Sequence, residues 1–137
     1  RRHPIGRILS LYRAAGMPGP SLEAWVFDDR RVEADNAMVR AISGRRDVPF
    51  GRCPDDMLEE ALAHIESDFA AVLMRSSMPR SAVVLGQALG VPVPPFPTVT
   101  ADPAGEDSYD PPKPVRKRLR QLNRLDLALF KRYSVRF

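Results

Sequence analysis

Cys53-Pro-Asp-Asp-Met-Leu-Glu-Glu-Ala-Leu-Ala-His-Ile-Glu-Ser-Asp-Phe69-Ala-Ala-Val-Leu-Met74, followed closely by Pro79-Arg-Ser-Ala-Val-Val-Leu-Gly-Gln-Ala-Leu89-Gly90, is the stretch on which the fold class turns. In its first part Pro54 suits a helix start, and Asp55 and Asp56 sit where the helix dipole favours negative charge. Met57, Leu58, Ala61, Leu62 and Ile65 then make one apolar stripe. The spacing predicts a helix from Cys53 to Ser67. Phe69 to Met74 is a continuous apolar run, the pattern of a buried strand. Pro79 to Leu89 returns to a helical pattern that Gly90 ends. Helix, buried strand and helix in that order predict an α/β arrangement.

Upstream, Pro4 opens a helix whose Ile5, Ile8, Leu9 and Tyr12 share one face, and Met17-Pro-Gly-Pro20 stops it. Ser21 reads as the N-cap of a short helix carrying Trp25 and Val26, and a third helix is expected from Val32 to Ser43, closed by Gly44. Downstream, residues 91–114 hold most of the fourteen prolines and read as an extended surface loop. One long helix is expected from Val115 to Tyr133, with Leu119, Leu122, Leu125, Leu129 and Phe130 along it. One or two strands are too few for a self-sufficient sheet, which points to part of a larger domain.

The chain has 137 residues, the size of one ordinary domain, and its 44% hydrophobic and 28% charged residues are those of a globular protein. No apolar run reaches the roughly 18–20 residues that cross a bilayer. The opening Arg-Arg-His-Pro is neither an initiating Met nor a signal peptide, so a preceding segment is expected. A net charge of +4 and a pI near 9.7 favour anionic partners without choosing among nucleic acid, nucleotide and acidic sugar. Much of that charge lies between Lys113 and Arg136, where it reads either as a solvated helix face or as a contact for an acidic glycan or other polyanion. Cys53 is the single cysteine, which rules out an internal disulfide or a multi-cysteine metal site.

Arg2-His-Pro-Ile-Gly-Arg7-Ile-Leu-Ser10-Leu-Tyr12 resembles the 3′-phosphate-binding segment of PAPS-dependent carbohydrate sulfotransferases, an Arg followed by a Pro-opened helix with Arg and Ser. The chemistry suits a dianion: an Arg fork donates two parallel hydrogen bonds, a Ser adds a hydroxyl, and a helix N-terminus adds N–H groups and a favourable dipole. Further segments are similar to the same family in the same order. Asp35-Asn36-Ala-Met38-Val-Arg40-Ala-Ile-Ser-Gly44 is similar to an Asn-x-Gln-x-Arg-x-Leu-x-Gly stretch, with Met38 where Gln is usual. Leu58 to Val72 resembles the family's helix leading into a strand, and Pro79 to Gly90 its next helix. Leu122-Asn123-Arg-Leu-Asp126-Leu-Ala-Leu129-Phe130 resembles its closing helix, with Phe130 where Tyr is common. The nearest types are the galactose 3-O- and uronyl 2-O-sulfotransferases.

The resemblance implies a P-loop-type α/β sulfotransferase fold, with residues 1–137 as the C-terminal part of a single domain and 91–114 as a loop within it. It implies PAPS as sulfuryl donor, a glycan or other carbohydrate as acceptor, no metal, no nucleic acid, and Arg2 and Ser10 as ligands of the 3′-phosphate. Arg7 would be a neighbouring structural or rim residue. The implied location is the Golgi lumen or membrane in a eukaryote, through an upstream anchor, or the cytoplasm in a bacterium. The chain contains no Gly/Ser/Thr-rich loop for the 5′-phosphosulfate, and neither His3 nor His64 stands where the family's general base does. It is therefore not expected to turn over alone.

Several residues carry two readings. Trp25 and Phe27 could line an acceptor pocket or belong to the core. Asn36 and Arg40, four apart on one helix face, could steady the nucleotide-site wall, touch acceptor, or tie helices together. His3 reads as a solvated helix-start residue, His64 as a surface or half-buried one, and Cys53 as a structural residue beside its helix.

Overall fold

The computed structural model describes residues 3–14, 16, 21–28, 30–73, 78–92 and 111–134. Seven α-helices are found there: α1 (Pro4–Ala14), α2 (Leu22–Phe27), α3 (Ala37–Ser43), α4 (Asp56–Asp68), α5 (Met78–Leu89), α6 (Lys113–Leu122) and α7 (Arg124–Ser134). A 3₁₀ turn at Val32–Ala34 precedes α3.

The apolar stripes build two cores. Ile8 and Leu9 of α1, Leu22, Trp25 and Val26 of α2, and Val115, Leu119 and Leu122 of α6 close on Ala34. Val39 of α3, Cys53, Met57, Ala61 and Ile65 on the α4 side, and Leu125, Leu129 and Tyr133 of α7 make the second. α6 feeds the first core and α7 the second, so the break at Asn123 is the hinge between them.

A buried polar seam holds that hinge. Asn36 Oδ1 accepts the N–H groups of Leu125 (2.9 Å) and Asp126 (3.2 Å), the otherwise unpaired donors at the start of α7. In return Asp126 accepts the N–H groups of Met38 (3.0 Å) and Val39 (2.8 Å) at the start of α3. Each helix thus caps the other, across roughly ninety residues of chain. Asn123 Nδ2 completes the seam on Ala34 O at 2.7 Å and Leu119 O at 2.9 Å. Asp35 receives Gly51 N–H at 2.8 Å and pairs with the Arg40 guanidinium. Asn36 stands at φ 48°, and the left-handed region that Asn tolerates better than most residues lets it aim at α7.

Four expectations are corrected. The α/β class, and with it a P-loop-type sheet, is overturned: the described residues contain no strand. α4 ends at Asp68 and Phe69 turns into extended backbone, φ −105° and ψ 120°, but Phe69 and Ala70 are exposed and residues 71–73 only half-buried. An apolar run alone does not make a strand, which also needs a neighbour's N–H and C=O groups in a ladder, and no strand is formed among the described residues. Met74 lies outside them. The helix expected over Val32–Ser43 is interrupted at Asp35–Asn36, where Asn36 leaves the helical register to cap α7, and the one over Val115–Tyr133 at Asn123, whose amide donates to Ala34 O and Leu119 O. The loop placed at 91–114 ends earlier, since α6 starts at Lys113 with Pro114 in its first turn; residues 93–110 lie outside the described ones.

The remaining helices follow their signals. Ser21 Oγ accepts Ala24 N–H at 3.3 Å as an N-cap. Gly44 and Gly90 close α3 and α5 at φ 81° and 66°. The stop expected at residues 17–20 falls outside the described residues.

Asp126→Ala removes a charged cap from two buried N–H groups and is expected to lower the unfolding free energy by about 3 kcal/mol, with Asp126→Asn costing less. Urea denaturation followed by far-UV circular dichroism checks both.

Candidate anion-binding site

His3, Arg7 and Ser10 stand at i, i+4 and i+7, one stripe along α1. The start of that stripe is pinned by α7: the His3 ring meets Phe130 edge-on, 5.3 Å between centroids and 72° between planes. Partial burial, and then the positive charge of Arg120 on α6, hold His3 below its ordinary pKa. Its surface remains largely open to water, so screening keeps that effect small. Arg7 turns inward, donating to Glu33 O at 2.9 Å and lying 4.0 Å from Asp126, which ties α1 to the polar seam. Burial presses Arg7 below its usual value while Asp126 and Glu33 push it back up. Ser10 is half-buried on α1. Arg2 lies outside the described residues, so the structure gives one of the two expected 3′-phosphate ligands a place.

A basic groove of about 580 Å³ is lined by Lys113, Arg116, Lys117, Arg120, Gln121 and Arg124. All but Arg124, the first residue of α7, occupy the face of α6 opposite Val115, Leu119 and Leu122, so core packing on one side presents the cations on the other. Arg124 is held at the far end by Cys53 O at 2.9 Å and by Asp55. Arg116 donates to Pro111 O at 3.4 Å.

Asn36 and Arg40 are buried structural ties. Arg40 Nε donates to Asp35 O at 2.8 Å, and its terminal nitrogens reach the Asp35 carboxylate and the carbonyls of Arg46, Val48 and Pro49. Five acceptors match the five N–H donors of a guanidinium, which leaves none for a ligand. At position 38 the backbone N–H does the work, and the Met38 side chain packs on the second core. Trp25 and Phe27 divide: Trp25 is core, edge-on to Tyr12 at 5.7 Å, whereas Phe27 is 46% exposed under the Arg118 guanidinium at 5.6 Å. His64 Nδ1 donates to Ile42 O at 2.8 Å and links α4 to α3 from an exposed position.

Sequence reasoning passed over Asp126 as a capping residue and Arg120 as a cation acting on His3. An acid three positions after an Asn, where a helical pattern continues unbroken, was the available signal for the first. Nothing local signals the second. Among the described residues no group of three or more His, Cys, Asp or Glu could hold a metal ion, and no helix is long and apolar enough to cross a membrane. Comparisons with protein-family models, curated proteins and solved structures find no match for the chain.

Cys53 is buried against Asp35, with Sγ 3.7–3.8 Å from the carboxylate oxygens. Burial foremost, then Asp35, pushes its thiol above the ordinary value, against an opposing pull from Arg40. The unfolded thiol ionises near pH 8.5, before the folded one, so raising the pH through that value favours unfolding. Stability should fall between about pH 7 and about pH 9.5, and Cys53→Ala should flatten that fall. Urea midpoints at the two pH values measure it, and thiol labelling of the native protein should be slow at neutral pH.

Proposed function

We propose that the protein acts in PAPS-dependent sulfuryl transfer to a carbohydrate hydroxyl, and that this chain supplies the part of the donor site holding the 3′-phosphate. The observation that carries the proposal is the joining of the three segments that resemble the family. Residues 35–44 and 122–130 cap each other's helices, and α1 is fastened to the second of them through Arg7 with Asp126 and through His3 with Phe130, and to the turn just before the first through Arg7 with Glu33 O. The motif residues thus form a rigid base on which the start of α1 is held beside a cationic helix. A 3′-phosphate there would meet the α1 N-terminus, the Ser10 hydroxyl two turns along, and Arg2.

No sheet enters this proposal, and the 5′-phosphosulfate loop and general base would come from other parts of the protein. Transfer itself needs a base on the acceptor hydroxyl and donors on the sulfuryl oxygens and departing phosphate. The share of this chain is to anchor the donor.

A second reading, a non-catalytic basic module that binds nucleic acid or another polyanion, is favoured by the α6 groove alone. Steep salt dependence of duplex binding, unaltered by adenosine 3′,5′-bisphosphate, would select it.

Calorimetry with adenosine 3′,5′-bisphosphate on the full-length protein tests the donor assignment. Arg2→Ala should weaken binding by at least about tenfold, the loss expected for one charged hydrogen bond, and Ser10→Ala by less. Unchanged affinity in Arg2→Ala would remove the assignment.

A further inference from the structure

We propose that a small, singly charged organic acid binds in a cavity where α6 meets the polar seam, its carboxylate held by the Arg118 guanidinium. The cavity measures about 200 Å³. Arg118 and Gln121 of α6 and Arg124 of α7 line it, together with Asp35 of the seam and Gly51 and Cys53 from the loop beside it. Gln121 and Arg124 also border the basic groove, but Asp35 and Cys53 are buried, so this space reaches into the fold. Among the described residues none of α1 lines it. The site is therefore separate from the proposed phosphate seat, and the proposal does not rest on the transfer reading.

The hydrogen-bonding capacity left over around the cavity decides what fits. Asp35 is already satisfied: its carboxylate accepts from Arg40, from Asn36 Nδ2 and from Gly51 N–H. Arg124 donates to Cys53 O and pairs with Asp55. Arg118 is different. Its Nε is buried without an acceptor, and its half-buried guanidinium lies over the Phe27 ring, with no acidic partner among the described residues. Withdrawing such a cation from water without a counter-ion is costly, and a carboxylate supplies two oxygens that match the guanidinium fork. Charge selects a monoanion. Arg40 offsets Asp35 and Asp55 offsets Arg124, so Arg118 carries the one uncompensated charge on the described wall. A dianion would set a second negative charge against the buried Asp35 carboxylate. Volume limits the size: the space is smaller than the roughly 300–1,000 Å³ of pockets for drug-sized molecules and a little larger than the roughly 150 Å³ that admits benzene. A hydroxy acid such as lactate fits, with its hydroxyl on the Gln121 amide, which can both donate and accept.

The test is an NMR titration of the full-length ¹⁵N-labelled protein with sodium lactate at constant ionic strength, read at Arg118 Nε–H, the Gln121 side-chain amide and the Gly51 amide. All three signals should shift together and saturate, and inorganic phosphate should bind at least about tenfold more weakly. Arg118→Gln should weaken lactate binding at least about tenfold, the loss expected for a charged hydrogen-bonding partner. Should that variant fail to fold, the shifts in the parent protein decide. Adenosine 3′,5′-bisphosphate should leave lactate in place. Shifts that do not saturate, phosphate binding as tight as lactate binding, or unchanged affinity in a folded Arg118→Gln variant would overturn the proposal. Displacement of lactate by the nucleotide would also overturn it, by assigning the cavity to the donor site.

Discussion

Asn36 and Asp126 exchange helix caps, and the arrangement of the two cores follows from that exchange. A helix start leaves N–H donors without partners, and burying them unsatisfied is costly. Here the starts of α3 and α7 are both buried, and each receives its acceptor from the other. The two helices can therefore be buried together but not apart. Asp35, Arg40 and Asn123 extend the same logic to the loop at residues 46–51 and to the junction of α6 with α7. Such a network is specific because a displaced member leaves several buried groups unpaired at once.

The cationic chemistry depends on that seam at one remove. Asn123 ends α6 and starts α7, so α6 is oriented by the seam at its C-terminal end and by its leucines along its length. α1 meets the seam through Arg7, and its start meets α7 through His3 and Phe130. α1 and the basic face of α6 thus share one rigid support.

Much of the helical content was legible in the residues. The stripes of α1 and α4, the Ser21 cap, and the Gly44 and Gly90 ends are local signals, and the structure follows them. Three features were not legible, for physical reasons. Phe69 to Leu73 has the composition of a strand, yet pairing is a property of two segments and cannot be read from one. Asn36 and Asn123 interrupt helices whose apolar spacing continues through them, because their side chains bond backbone groups about ninety residues away in sequence. The meeting of Arg120 with His3 needs the fold. Ser10 and Arg7 were singled out by resemblance; the structure makes Arg7 a structural tie and leaves Ser10 on the stripe that starts at His3.

Native-state hydrogen exchange at the amides of Met38, Val39, Leu125 and Asp126 tests the mutual capping most directly. If the two caps form one unit, these four amides exchange only through global unfolding, with the same free energy as the most protected core amides. Exchange of the α3 pair through a local opening that leaves the α7 pair protected, or the reverse, would contradict it.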